Sequence, residues 1–301
     1  MAAQSETRCD QPLRFSIPAL NARGRLVRLD AVLNDVLSAH AYPPSVEKIL
    51  AEALVLTSLL GTTLKEREGQ LTIQAQTENG PISLLVCDYI DGAVRGYAQF
   101  DMARLAAVPA DPNLFALFGK GYLAVTFDRP LPEAEGGGRY QGIVPLEGAS
   151  LAEACESYFA QSEQVPTLIR VGIGDGAAGC IGAGILVQHL AEGEEGRERL
   201  HVKMDHPEWE HVAIIAGTTR PEELVDPDLS LEALVWRLFH DEPEVRVAAG
   251  GVLQRGCRCT MEHYQSVLAK FPEADRVEMR NDAGLIEVDC AFCSKLFLIE
   301  M

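Results

Sequence analysis

Apolar residues recur at intervals of three and four in two adjacent stretches near the start of the chain. Leu29, Val32, Leu33, Val36 and Leu37 form the first stripe, and Val46, Ile49, Leu50, Ala53, Leu54, Thr57 and Leu60 the second. That period places each set on one face of an α-helix. Tyr42-Pro43-Pro44 separates them and Ser45 stands where a hydroxyl can cap the second helix, so the pair predicts an αα-hairpin. Upstream, Phe15–Pro18 and Arg25–Leu29 read as short β pieces around the turn Asn21-Ala22-Arg23-Gly24, and residues 1–12 as a frayed lead-in. The period then becomes two. Leu71-Thr72-Ile73-Gln74-Ala75-Gln76 alternates as a half-buried strand does. Asn79-Gly80 offers the positive φ angles of a tight turn, Ile82–Cys87 pairs back, Asp91-Gly92 turns again, and Ala93–Phe100 completes a meander. Tyr122–Phe127 and Tyr140–Val144 predict a further hairpin with a flexible tip at Gly136-Gly137-Gly138.

Ser150-Leu151-Ala152-Glu153 has the spacing of a capping box and opens a helix through Phe159. Thr167–Ile173 and Gly182–Leu190 read as strands flanking a glycine-rich run. Within it, Gly172-Ile173-Gly174-Asp175-Gly176 matches neither G-x-x-x-x-G-K-S/T nor G-x-G-x-x-G, and a hairpin loop accounts for it better than a phosphate cradle. Ala191–Arg199 is a charged loop. From about Glu208 the helical period returns, with Trp209, Val212, Ile215 and Ala216 on one face, a short piece at Pro221–Val225, and a stripe of Leu231, Leu234, Val235, Leu238 and Phe239. Eight acidic residues and one arginine lie between Pro221 and Val245. Helices of that kind are marginal unless something packs on the stripe. They are either ordinary surface helices or a metastable linker held down by its neighbours. Beyond Val245–Gly251, Met261–Phe271 predicts a helix, and Arg276–Met279 with Leu285–Val288 predict strands around the turn Asn281-Asp282-Ala283-Gly284.

The length of 301 residues leaves room for one sizeable domain and a small appendage. The formal charge of −18 argues against a nucleic-acid partner, whose phosphates need a basic face, and favours a chain that resists self-association. Met1–Pro12 has no apolar run, and no stretch approaches the ~18 apolar residues of a membrane span, so a cytosolic protein with no membrane partner is expected. The HExxH, G-x-S-x-G and kinase signatures are missing, which favours a protein that is not an enzyme. His201, His206 and His211 fall five apart, share no helical face, and read as surface residues.

The cysteines change the picture most. Cys257-Arg258-Cys259 is followed after thirty residues by Cys290-Ala291-Phe292-Cys293. Two close thiols followed by two more can present four sulfurs to one tetrahedral metal, and soft thiolates favour zinc or an iron–sulfur cluster. The same short spacings let the sulfurs oxidise to one another. A tail of about 45 residues buries little surface, so it needs its metal whether the site is merely structural or a switch. A four-sulfur shell leaves no position for water and weighs against hydrolytic zinc. His263 is a conceivable ligand or hydrogen-bond donor beside it, although four cysteines already complete the shell. Cys9, Cys87, Cys155 and Cys180 are scattered; Cys87 and Cys180 read as packing residues and Cys9 as exposed.

This tail resembles that of the 33 kDa chaperonin family, the redox-regulated holdases also called heat shock protein 33. The resemblance spans nearly the whole chain. It includes Gly24-Arg25, Ala51-Glu52-Ala53-Leu54, Asn79-Gly80-Pro81 and Arg95-Gly96-Tyr97, and continues through Tyr158-Phe159-Ala160-Gln161-Ser162-Glu163-Gln164, Leu238-Phe239-His240-Asp241-Glu242 and Val288-Asp289-Cys290-Ala291-Phe292-Cys293. Where the family commonly has an aromatic residue two positions before its first cysteine and serine after its second, this chain has Arg255 and Thr260. The resemblance implies an α+β fold: a core of two β-sheets with packed helices at 1–200, a mostly helical metastable linker at 201–256, and a zinc-binding redox-switch tail at 257–301. It implies one Zn²⁺ on Cys257, Cys259, Cys290 and Cys293 in a reduced, inactive protein. It also implies that oxidation pairs Cys257 with Cys259 and Cys290 with Cys293, expels zinc and unfolds tail and linker. The product would be an ATP-independent holdase for unfolding proteins, often a homodimer. The rival readings are a constitutive zinc-tail adaptor for a protein partner and an enzyme with a structural zinc.

Overall fold

The computed structural model describes residues 7–64, 69–128, 138–177, 179–190 and 206–300. The first half runs β1 (Leu13–Ile17), β2 (Ala22–Leu29), α1 (Ala31–Leu37), α2 (Pro44–Gly61), β3 (Gln70–Thr77), β4 (Ile82–Ile90), β5 (Ala93–Phe100), α3 (Met102–Leu105), α4 (Leu114–Phe118), β6 (Gly121–Asp128) and β7 (Arg139–Pro145). Then come α5 (Leu151–Tyr158), a π-helical turn at Phe159–Glu163, β8 (Thr167–Gly176), β9 (Gly179–His189), α6 (Pro207–Gly217), α7 (Pro221–Val225), α8 (Leu231–Phe239), β10 (Arg246–Ala249) and β11 (Gln254–Arg255). The tail holds α9 (Met261–Leu268), α10 (Glu273–Glu278), β12 (Ile286–Asp289) and β13 (Leu296–Ile299).

The fold is α+β, as expected. One sheet has the order β10-β1-β2-β9-β8, a second β11-β5-β4-β3-β6-β7, and the tail has its own pair, β12-β13. All pairings are antiparallel except the short β11–β5 pair. The main core lies around α2, thirteen of whose eighteen residues are buried. The sequence stripe showed one apolar face, but this helix is apolar nearly all round because both sheets cover it. Thr57 and Ser58, also buried, donate to the carbonyls of Ala53 and Leu54 at 2.7 and 2.8 Å, so their hydroxyls cost little there. Glycines make the close approach possible. A Cβ at Gly184 of β9 would stand 2.8 Å from Val55, and one at Gly96 of β5 would stand 2.6 Å from the Cys87 sulfur and 3.0 Å from Leu54. The glycine-rich run is thus a β-hairpin whose second strand is thinned to admit a helix.

A second apolar layer covers the opposite face of the five-stranded sheet. Trp209, Val212, Ala216, Leu224, Leu231, Leu234, Val235 and Phe239 of α6–α8 bury against Leu13, Phe15, Ile17, Leu26, Ala183, Ile185 and Val187. The Phe239 and Phe15 rings are 5.6 Å apart. The Arg28 guanidinium donates to the carbonyls of Leu224 and Leu229 at 2.8 and 2.9 Å. The stripes therefore dock on the sheet, and the outward faces of these helices still hold Ile214 and Trp236, 64% and 67% exposed.

Several local expectations change. The lead-in is pinned from residue 7. Buried Asp10 accepts from the backbone N–H groups of Asp30, Ala31 and Val32, taking over the start of α1, and Thr7 bonds Glu232 of α8. The β1–β2 turn lies earlier than expected, at Pro18–Asn21, where Asn21 has φ +46°. Pro43, not Ser45, is the N-cap of α2, because Pro44 already occupies the first helical position. The expected turn at Asp91-Gly92 is present and has two positive φ angles, +46° and +81°. Asn79 and Gly80 have none; Gly80 instead lies against the backbone of Phe118. Ser150 caps α5 as expected, but Glu153 reaches back to the N–H of Ala149 rather than Ser150. Residues 273–278 form helix α10 where a strand was expected, and the partner of β12 is β13, downstream of the last cysteine. Most of the glycine tip at 136–138 and the loop 191–199 lie outside the described residues.

Candidate metal centre

The tail's own interior is small. Leu268, Ile286, Cys290, Phe297 and Ile299 are its buried members, with Cys257, Cys259, Tyr264 and Cys293 packed around them. The sulfurs thus sit inside the only apolar cluster the tail possesses among its described residues.

Two local devices bring them together. Cys257 leaves β11, and Cys259 immediately precedes Thr260, whose hydroxyl caps α9 by accepting from the His263 N–H. Cys290 and Cys293 occupy the turn joining β12 to β13. The N–H groups of Cys293 and Ser294 donate to the Cys290 carbonyl, the Cys290 N–H donates to Lys295, and Ser294 takes φ +56° to let the chain turn back. The turn is wound around Cys290, which is 2% exposed.

The sulfur of Cys257 lies 3.3 Å from that of Cys259 and 3.5 Å from that of Cys290, and Cys259 lies 3.5 Å from Cys293. All four sulfurs fall within 4.8 Å of one another, and all eight cysteines are free thiols. Four thiolates at about 2.3 Å from a zinc ion stand about 3.8 Å apart, so the cluster has the size and donor chemistry for that ion. It is too open for disulfides, which need about 2.05 Å. Burial opposes ionisation of Cys290. The Tyr264 hydroxyl and the N–H groups of Phe292 and Cys293 face its sulfur and outweigh burial, bringing that thiol down to about 6. Burial pushes Cys259 and Cys293 up. His263 is exposed and outside the cluster, so no histidine competes for the shell.

The cluster is moored to the core by side chains that sequence patterns did not single out as a site. Arg258, between the first two cysteines, reaches Asp88 of β4 at 2.9 Å. The same carboxylate takes Arg95 of β5 at 2.6 Å and the Thr72 hydroxyl at 2.7 Å, and its side chain is 5% exposed. Phe292, between the last two cysteines, lies edge-on to Tyr97 at 4.8 Å, with the Arg95 guanidinium 3.8 Å from its ring centroid. His40, after α1, closes the far side: its Nε2 donates to the Ala291 carbonyl at 2.9 Å and its Nδ1 accepts from Ser294 at 3.0 Å. Arg95 and Tyr97 belong to one sequence motif, Arg95-Gly96-Tyr97, and Phe292 lies in another, the Cys-x-x-Cys; only proximity in space joins them.

A family model described as Hsp33 protein matches residues 10–300. The chain belongs to the Hsp33 family. The 33 kDa chaperonin of Caulobacter vibrioides is 38% identical over 294 residues, covering 95% of this chain and 93% of that protein. The 33 kDa chaperonin of Yersinia pestis is 33% identical, covering 97% and 92%. The crystal structure of the Hsp33 homologue of Thermotoga maritima superposes with a TM-score of 0.74 at 22% identity, over 97% of this chain and 95% of that one, which makes the fold common to both.

The remaining histidines depart from expectation at one place. His211 is exposed and meets Glu242 at 3.0 Å. His206, expected on the surface, is half-buried as the N-cap of α6 and lies beside buried His189. His201 lies outside the described residues.

Proposed function

We propose that this protein is a redox-switched, ATP-independent holdase of the cytoplasm. Cys257, Cys259, Cys290 and Cys293 hold one zinc ion in the reduced, inactive form. The observation that carries this reading is the packing of four mutually close sulfurs into the tail's own apolar cluster. A zinc ion bound there supplies cross-links that so small a core lacks, typically ~10–16 kcal/mol of apparent binding energy. Peroxide oxidises Cys257 with Cys259 and Cys290 with Cys293. Each pair of thiolates gives up two electrons, one peroxide takes them together with two protons from water and becomes two waters, and a sulfenic acid is the intermediate. Sulfurs bonded to each other no longer ligate, so the metal is released and the tail unfolds.

The division into a core at 1–200, a linker at 201–256 and a tail at 257–301 then gains a mechanical sense. Unfolding the tail frees Arg258 and Phe292, which moor β11 beside β5. The linker is left tethered at one end, and its low intrinsic stability lets it open. The surface uncovered includes Phe15, Leu26, Ile185 and Val187 of the sheet and the stripes of α6 and α8. Unfolding client proteins bind that apolar surface, the oxidised chain works as a homodimer, and the charge of −18 keeps the complexes in solution.

The test is peroxide treatment at mild heat. Zinc release is followed with a chelating dye, thiols are counted, and aggregation of a thermally unfolding client is followed by light scattering. Loss of about one zinc and four thiols together with suppressed aggregation is expected. Zinc loss without suppression favours the adaptor, and retained zinc overturns the switch. Cys290→Ser should bind zinc more weakly and make the reduced tail protease-sensitive; resistance equal to the parent chain contradicts the clasp.

A further inference from the structure

His189 ends β9 with 2% exposure, and neither of its ring nitrogens has a hydrogen-bond partner among the described residues. Buried polar atoms are rarely left that way, so the imidazole calls for an occupant. Two other ligand-bearing side chains face it from the start of the linker. Glu208, in the first turn of α6, places Oε2 3.6 Å from His189 Nε2 and 3.8 Å from His206 Nδ1, the nitrogen that caps α6 by accepting the Glu208 N–H at 3.4 Å and that a metal would draw off that cap. The two imidazole rings are 4.9 Å apart, and one ligand atom from each of the three residues lies within 4.8 Å of the others. These separations are long for hydrogen bonds. They suit a shared cation, since ligands at about 2.0–2.1 Å from zinc stand about 3.4 Å apart in a tetrahedron. Asn21 donates to the same Glu208 oxygen at 3.1 Å and holds the carboxylate in place.

We propose that His189, His206 and Glu208 form a second divalent-metal site, distinct from the thiolate cluster, which clips the first turn of α6 to the end of β9. Two imidazoles and a carboxylate suit Zn²⁺, with Co²⁺ as its spectroscopic stand-in, and leave a fourth position for water. One ligand comes from the core and two from the linker. A cation bound by all three stabilises the docked linker over the released one by mass action. The site itself stands apart from the holdase reading; only its bearing on activation rests on it.

The experiment uses the full-length reduced chain with zinc on its cysteines and loosely held metal removed. Titration with Zn²⁺ by calorimetry is expected to show one further equivalent. Co²⁺ in that position should give weak ligand-field bands without thiolate-to-metal charge transfer. His206→Asn keeps a good helix cap while removing a ligand, and Glu208→Gln removes the charge. Each should weaken the further equivalent at least ten-fold and leave the thiolate-bound one unchanged. No further equivalent in the parent chain, equal binding by both variants, or thiolate bands in the Co²⁺ spectrum overturns the site. Added Zn²⁺ should slow protease cleavage at the start of α6 at least three-fold in the parent chain and not in His206→Asn; equal rates overturn the clip.

Discussion

Asp88 joins the tail to the core through a single tail residue, Arg258. Its buried carboxylate accepts from Arg95, Arg258, Thr72 and Gln70. Removing it leaves Arg95 with its 17% exposed side chain unpaired, and breaking a buried pair typically costs ~3–5 kcal/mol. Asp88→Asn should therefore lower the stability of the core by about 3 kcal/mol in urea unfolding. Arg258 is 38% exposed, so Arg258→Gln should leave core stability within about 0.5 kcal/mol and show itself in faster hydrogen exchange of the tail. A shift of the core by Arg258→Gln as large as that of Asp88→Asn would contradict this division of roles. Glu52, at the middle of α2, accepts from the Ala152 N–H at the start of α5. Burial raises its pKa to about 7 against that hydrogen bond. The folded value lies above the unfolded one, so its contribution is fully present below about pH 4.3 and is lost as pH rises towards 7. Glu52→Gln removes this dependence. The difference in stability between Glu52→Gln and the parent chain should grow by about 2 kcal/mol from pH 5.5 to pH 8, as measured by urea unfolding. None of this was legible in the sequence. Asp88 is one carboxylate among many, and Glu52 appeared only inside a family motif.

The linker helices were legible as helices and as apolar stripes, because a period of 3.6 is a local property of the chain. Their docking partner was not, because the stripe does not say which surface it meets. The structure assigns the stripe to the five-stranded sheet and leaves the tail with a separate cluster. Residues 257–300 follow α6–α8 by way of β10 and β11, which add edges to the two different sheets, and share no apolar cluster with those helices among the described residues. Leu234 is fully buried in the docked face of α8. Leu234→Ala should destabilise docking by about 2–4 kcal/mol, make residues 207–240 protease-sensitive in the reduced, zinc-bound protein, and give partial holdase activity without oxidant. Full protection of the linker in that variant would separate undocking from activation. The mistaken strand at 276–279 has a local cause. The turn Asn281–Gly284 is real, with the Asn281 carboxamide accepting from Ala283 and Leu285, but a turn can follow a helix as readily as a strand.

Across the molecule, three apolar clusters are held together by different means. The first surrounds a central helix, the second joins α6–α8 to a sheet, and the third has the four tail cysteines in it or packed against it. Stripping zinc from the reduced chain should abolish hydrogen-exchange protection across 257–300 while leaving α2 protected. Simultaneous loss of both would mean a single cooperative unit and would remove the staged opening on which the proposed switch depends. The amino-acid order determined what depends on near neighbours: the strand and helix periods, the Asp91-Gly92 turn, the paired cysteines, and enough motif to point to the Hsp33 family. Only tertiary structure decided what depends on distant residues meeting. That includes the burial of α2 on all sides, the mooring of Phe292 and Arg258 onto β4 and β5, and the convergence of His189 with His206 and Glu208. Spacing along a chain constrains contacts within a turn or a hairpin. A contact between residues 170 apart, such as Arg258 with Asp88, exists only once the sheets are assembled.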